Sequence, residues 1–143
     1  MNLENFKTLT DWLEAGAPER AFSMNHGTRP TETLDECDLR SYPHVAQQLE
    51  KKEDCGSVCC LGGYAYQQET GDMGHEYLAW DVIQGAALDW LGLSNPERIH
   101  MIALFEPDYA PEHCTPEQAA LAVKDFIANS GGDVAYNPWE NVE

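Results

Sequence analysis

The cysteine thiols are the side chains of this sequence that could bind a metal or act as a nucleophile, because three of them lie close together near the middle of the chain. The five cysteines are Cys37, Cys55, Cys59, Cys60 and Cys114. A structural zinc site uses two pairs of ligands at close spacing. Cys55 and Cys59 lack a second pair, since His113 and Cys114 are adjacent and would point apart. The spacing therefore argues against a structural zinc, and we expect no bound metal or cofactor. An odd number of cysteines in a chain without a signal-peptide pattern favours reduced thiols.

Cys55 is also a candidate nucleophile, because a thiol at the start of a helix has a lowered pKa. His26 and His44 are the candidate bases, but nothing in their spacing places either of them beside Cys55. The many carboxylates would raise the pKa of the thiol rather than lower it. We therefore predict no catalytic residue. A small cysteine-dependent enzyme or metal-binding protein centred on Cys55 and Cys60 is the alternative.

Carboxylates are too numerous for any one pair to indicate acid–base catalysis, because 25 Asp and Glu residues create chance pairs throughout the chain. A calcium site is no better supported, since the segment from Asp72 to Glu76 lacks the ligand periodicity of the twelve-residue calcium loop. The carboxylates are more informative as a surface than as catalytic groups.

The elements that must position these side chains are helices. We predict an all-α fold, with residues 1–143 forming one compact acidic domain of about five helices. A long irregular loop over about 19–41 and an extended C-terminal tail complete it. Apolar spacing or a capping pattern predicts helices over 2–15, 55–66 and 79–91, a short one over 43–52, and further helices that begin after Ser94 and Thr115.

Two of the predicted helices make specific demands on packing. In the 55–66 helix we expect Ser57 to cap the start, and Gly62 and Gly63 to receive a neighbouring helix, since glycine is unfavourable in a helix interior. In the 79–91 helix the spacing predicts an outward face of Asp81, Gln84 and Asp89. The inward face of that helix is predicted to consist of Trp80, Ile83, Ala87, Trp90 and Leu91.

Charge is distributed unevenly along the chain, whose formal net charge is −17. Residues 53–143 contain 16 acids and only two bases, Arg98 and Lys124. A field of this sign repels nucleic acid and anionic lipid and attracts basic protein surfaces. We therefore predict no direct nucleic-acid or membrane partner. The sequence has no 18-residue apolar run and no signal-peptide pattern at its start, which favours the cytoplasm.

The box Cys55-Gly-Ser-Val-Cys-Cys-Leu-Gly-Gly-Tyr-Ala65 resembles the Cys-Gly-Thr-x-x-Cys-Ile-Ala-Gly-Trp-Ala box of small uncharacterised proteins encoded by bacteria and tailed phages. It departs from that pattern at Ser57, Cys59, Gly62 and Tyr64. Further segments similar to that family, in the same order, are Phe22-Ser-Met24, Ala87-Leu-Asp-Trp-Leu-Gly-Leu-Ser94, Leu104-Phe105 and Thr115-Pro-Glu-Gln-Ala119. The resemblance implies a compact, mainly helical protein of phage or bacterial context, with no established activity.

Together, the charge and this resemblance lead to the hypothesis of a non-enzymatic acidic binding protein encoded by a phage or mobile element. Its expected partner is a basic host protein, such as a nucleic-acid-binding defence complex, which it would occlude as anti-CRISPR or anti-restriction proteins do. Helical acids mimic the charge of a duplex in this interpretation. The expected contact residues are Asp81, Asp89, Glu97, Glu117 and Asp125.

Overall fold

Helices form most of the described chain in the computed structural model of the protein, which confirms the predicted all-α class. The structure describes residues 1–18, 21–24, 28–30, 34–51, 57–72, 79–93, 104, 109–111, 114–128, 138–140 and 142. Its helices are α1 (Leu3–Glu14), α2 (Glu36–Ser41), α3 (Pro43–Lys51), α4 (Leu61–Thr70), α5 (Trp80–Trp90) and α6 (Pro116–Ala128). The structure also contains three short strands, β1 (Ala21–Phe22), β2 (Thr28–Pro30) and β3 (Ser57–Cys59).

Helices α1 and α6 follow their sequence signals and pack against each other. The Asn2 side chain caps α1 by accepting from the Asn5 N–H at 3.1 Å. A reciprocal capping box starts α6, with the Thr115 N–H donating to Gln118 Oε1 at 2.9 Å and the Gln118 N–H donating to Thr115 Oγ1 at 3.2 Å. Both predicted helix starts are therefore confirmed. The short helix predicted over 43–52 is confirmed as α3.

The predicted helix over 55–66 is wrong in its first part, because Ser57–Cys59 is strand β3 and the helix begins only at Leu61. Cys60, not Ser57, is the cap, and its Sγ accepts from the Gly63 N–H at 3.4 Å. The physical reason is strand pairing: β3 lies between β1 and β2 and is hydrogen-bonded to both. Gly62 and Gly63 are buried in the first turn of α4, which packs against α5.

The irregular loop predicted over about 19–41 is also wrong, since this range contains β1, β2 and α2. β1 pairs with β3 in parallel and β2 pairs with β3 antiparallel. Strands of two or three residues carry no apolar alternation, so their sequence gives no signal. Helix α2 is opened by a capping box between Asp35 and Asp38. This part of the chain therefore contains both strands and a helix, which its low density of apolar residues does not predict.

A side chain of α3 closes the outer edge of β1. The Phe22 N–H donates to Gln48 Oε1 at 2.6 Å, and Gln48 Nε2 donates to the Phe22 carbonyl at 2.8 Å. The Gln48 amide thus pairs with both backbone groups of Phe22 as a neighbouring strand would. An edge strand with free backbone groups invites pairing with other chains, and this contact removes that opportunity at Phe22.

Two other predictions, which concern the burial of tryptophan side chains, are wrong. The expected extended tail is folded at residues 138–140, where a turn places Trp139 in the main core. Trp80, expected to face inward, is instead exposed at the start of α5, whereas Ala87, Leu88 and Leu91, towards the other end of the helix, belong to the main core. The predicted inward positions Ile83, Ala87 and Leu91 are buried.

Several predictions fall on residues outside the described part. These are the helix expected after Ser94, the contact residue Glu97, the thiol of Cys55 and the base candidate His26. In the part of the chain that the structure does describe, no helix has the length and apolar character needed to cross a bilayer.

Candidate functional site

The thiols of the described cysteines differ sharply in exposure. Cys59 and Cys60 are fully buried and Cys114 is nearly so, whereas Cys37 lies exposed on α2. The Cys60 sulfur is occupied as the cap of α4. Burial raises the pKa of Cys114 to about 12, which keeps this thiol protonated at neutral pH. The described thiols in the core therefore behave as small apolar groups.

Alkylation measures this difference between thiols directly. We expect iodoacetamide at pH 8 to label Cys37 in the native protein and Cys114 only after denaturation, as read by peptide mass spectrometry. Native labelling of Cys114 at the rate of Cys37 would contradict this expectation.

An unfolded thiol ionises near pH 8.5, so the stability that depends on a protonated Cys114 falls as pH rises from there towards 12. Unfolding free energy should therefore decline more steeply from pH 8 to 10.5 in wild type than in Cys114→Ala.

Potential metal ligands do not come together in the part of the chain that the structure describes. No group of three or more His, Cys, Asp and Glu side chains there is close enough to hold a metal ion. Within the same residues, every buried side-chain nitrogen and oxygen has a hydrogen-bond partner. The described part of the chain thus contains neither a cluster of potential metal ligands nor a buried side-chain nitrogen or oxygen without a hydrogen-bond partner.

Helix α5 carries the two predicted contact residues that the structure brings onto one face. Asp81 and Asp89 are both exposed, and eight residues of helix separate them by about 12 Å along the axis. Val82 and Gly85 lie between them on the same side of the helix. We call these four residues, Asp81, Val82, Gly85 and Asp89, the α5 outer face.

Helix α4, on which α5 packs, adds charge of the same sign. Glu69 is exposed near its end, and Asp72 follows the left-handed cap at Gly71. Burial and the hydrogen bond that the Tyr66 hydroxyl donates to the Asp72 carboxylate, at 3.0 Å, raise the pKa of Tyr66. Neither α4 nor α5 contains a Lys or Arg residue. The α4–α5 pair is therefore uniformly negative.

The two predicted contact residues of α6 lie in a different setting. Glu117 is exposed and Asp125 is half-buried, and Lys124 between them forms an ion pair with Glu14 of α1. Glu117 and Asp125 thus belong to a helix that packs on α1, whereas Asp81 and Asp89 belong to a helix that packs on α4. Helices α1 and α6 each contain a lysine, whereas α5 contains none.

An aromatic cluster, which the sequence does not predict, joins three helices. The rings of Trp12 and Tyr64 stack with centroids 4.1 Å apart, and Trp90 meets Tyr64 edge-on at 6.1 Å. All three rings are half-buried and pack on the main core. The cluster links α1 and α5 through α4, which fixes the orientation of α5 and so of its outer face. Nothing in the spacing of these residues reveals it, because each lies on a different helix.

Comparisons with known proteins leave the chain without an assigned family. No family model matches it, and neither the curated proteins nor the solved structures include a match. A function for this chain therefore has to be inferred from the geometry and charge of the described residues.

Proposed function

We propose that this protein is a non-enzymatic acidic binding protein that occludes a basic protein, with the α5 outer face as the contact surface. The observation that carries the proposal is the pair of exposed carboxylates of Asp81 and Asp89 on a helix pair without a single basic residue. Such a surface attracts Lys and Arg side chains and repels phosphates.

A nucleic-acid-binding partner fits this charge best. A groove that binds a duplex is lined by Lys and Arg at intervals set by the phosphates. An acidic helix can enter such a groove and compete with nucleic acid for the same side chains. The proposed biological setting is therefore inhibition of a host defence complex by a phage or mobile-element protein in the host cytoplasm. The sequence resemblance to phage and bacterial proteins supports that setting.

The alternative of an enzyme or metal protein centred on Cys55 and Cys60 is less well supported. The sulfur of Cys60 is fully buried and accepts a backbone hydrogen bond, so it does not present a thiolate to a substrate. Cys37 is exposed on α2, but it belongs to no group of three or more potential metal ligands among the described residues.

Charge reversal on α5 tests the proposal. We expect Asp81→Lys with Asp89→Lys to weaken capture of a basic partner from host lysate by about tenfold or more and to flatten the salt dependence of capture. The reversal exchanges attraction for repulsion at two sites. Both residues are exposed, so the melting temperature should change little. Neither the wild-type protein nor the double variant should bind DNA or RNA in a gel-shift assay.

A second double variant provides the matched control. Glu4→Lys with Glu50→Lys alters the net charge by the same amount at exposed positions of α1 and α3. This control should capture the partner nearly as well as wild type. Equal weakening by both double variants would show that overall charge alone governs association. Undiminished capture by the α5 variant would remove α5 from the contact surface.

A further inference from the structure

Gly85 occupies a position on α5 for which the described packing gives no reason. It lies in the helix interior, where glycine is the least favourable residue after proline. A Cβ added at Gly85 would meet no atom of the described chain within 4 Å. By contrast, Gly16, Gly71 and Gly92 have left-handed backbones that favour glycine. Alanine would thus fit at Gly85 and would strengthen the helix.

The surroundings of Gly85 combine charge with exposed apolar surface. Val82, on the same outer face, is 49% exposed, although it is a large apolar residue. Asp81 and Asp89 flank the pair at the two ends of the face. The outer face is therefore flat at its centre, apolar beside the centre and negative at both ends. A helix face with this arrangement lets another backbone approach closely, because no side chain projects at the centre.

We infer that the α5 outer face binds a basic helix of the partner protein, whose backbone packs directly over Gly85. This inference rests on the proposed function and specifies the shape of its contact. Two Lys or Arg side chains seven or eight residues apart on a helix are separated by about 10–12 Å, which matches the spacing of Asp81 and Asp89. A small or apolar residue between them contacts Gly85 and Val82.

The negative charge of the α5 outer face favours a basic helix over the other partners that could bind a helix face. A second copy of the chain would bring its own Asp81 and Asp89 against the same residues, and like charges in contact oppose association. A nucleic acid is repelled for the same reason. A basic helix is the partner element that supplies both opposite charge and close backbone approach.

The experiment uses two defined peptides of 20 residues, both helical and rich in alanine. In the first, two lysines stand seven residues apart on one face; in the second, they stand nine residues apart on opposite faces. Amide chemical shifts of the full-length protein are followed by NMR during titration at low salt. We expect the first peptide to bind more tightly, with shifts centred on residues 81–89.

Substitution at Gly85 separates stability from binding. Gly85→Ala should raise the melting temperature by about 2–4 °C, because it strengthens the helix. The same change should weaken binding of the first peptide by about threefold, and Gly85→Leu by about tenfold, because each added side chain holds the peptide backbone away. Thr8→Ala, on the exposed side of α1, is the control for a change in stability alone and should leave peptide binding unchanged.

The outcomes separate this inference from the proposed function. If neither peptide binds wild type at low salt, the acidic binding function itself is contradicted. If both peptides bind equally well, or if Gly85→Leu binds the first peptide as wild type does, the close-packing inference is overturned while the acidic function stands. Tighter binding of the first peptide, lost in Gly85→Leu and kept in Thr8→Ala, supports both.

Discussion

Replacement of Trp139 by alanine is expected to lower the free energy of unfolding by about 3–5 kcal/mol. The side chain is only 3% exposed and packs in the main core. Its indole N–H donates to the Leu104 carbonyl at 3.2 Å. Alanine would leave a large cavity and remove the hydrogen bond to the Leu104 carbonyl. Denaturant unfolding followed by circular dichroism measures the loss.

The Trp139→Phe variant divides that effect into its two parts. Phenylalanine keeps one buried ring and removes the indole N–H together with the second ring, so a smaller loss of about 1–2 kcal/mol is expected. Wild-type stability of Trp139→Ala would show that the C-terminal segment does not contribute to the core. Intermediate stability of Trp139→Phe would show that packing, more than the hydrogen bond, holds the segment in place.

Replacement of Phe126 by alanine is expected to cause a loss of similar size, about 3–5 kcal/mol. Phe126 is fully buried on α6 and stacks on Phe6 of α1 with ring centroids 6.0 Å apart. Because this pair joins α1 to α6, its loss should loosen the whole core rather than one helix. Thermal and denaturant unfolding would both report the change.

The control for Phe126→Ala lies on the same helix. Leu121 is 55% exposed, so Leu121→Ala removes an apolar side chain with little buried area and should change stability by less than about 0.5 kcal/mol. A double variant of Phe6 and Phe126 should lose less than the sum of the single losses, because the two rings share one contact. Simple additivity would contradict direct coupling between the rings.

The ion pairs of the described chain show how its few bases are used. Lys7 pairs with Asp11, Arg40 with Glu36 and Lys124 with Glu14. These pairs are mostly exposed, so each contributes little to stability. Each pair places a base against an acid on α1, α2 or α6, whereas α4 and α5 contain no Lys or Arg of their own. This distribution of charge favours α5 as the contact surface.

Local sequence signals predict the long helices well, because their causes are local. The cap at Asn2, the box at Thr115 and the apolar spacing of α5 each act within one or two turns of helix. The acidic character of α5 is equally a property of the sequence, since side chains eight residues apart on a helix share a face wherever the helix packs. Asp81 and Asp89 can therefore be identified without knowledge of any tertiary contact.

Contacts between residues far apart in the chain account for the features that local signals miss. Strand β3 exists because β1 and β2 lie on either side of it, and this pairing delays the start of α4 to Leu61. Trp139 is buried because the core accommodates its ring and the Leu104 carbonyl accepts its N–H, whereas Trp80 lies exposed at the start of α5. The amino-acid order thus specifies which long helices form and where their charge lies. Only the tertiary structure decides which side chains are buried, which strands pair and where space is open beside Gly85 within the described chain. Each of these features depends on which other part of the chain lies nearby.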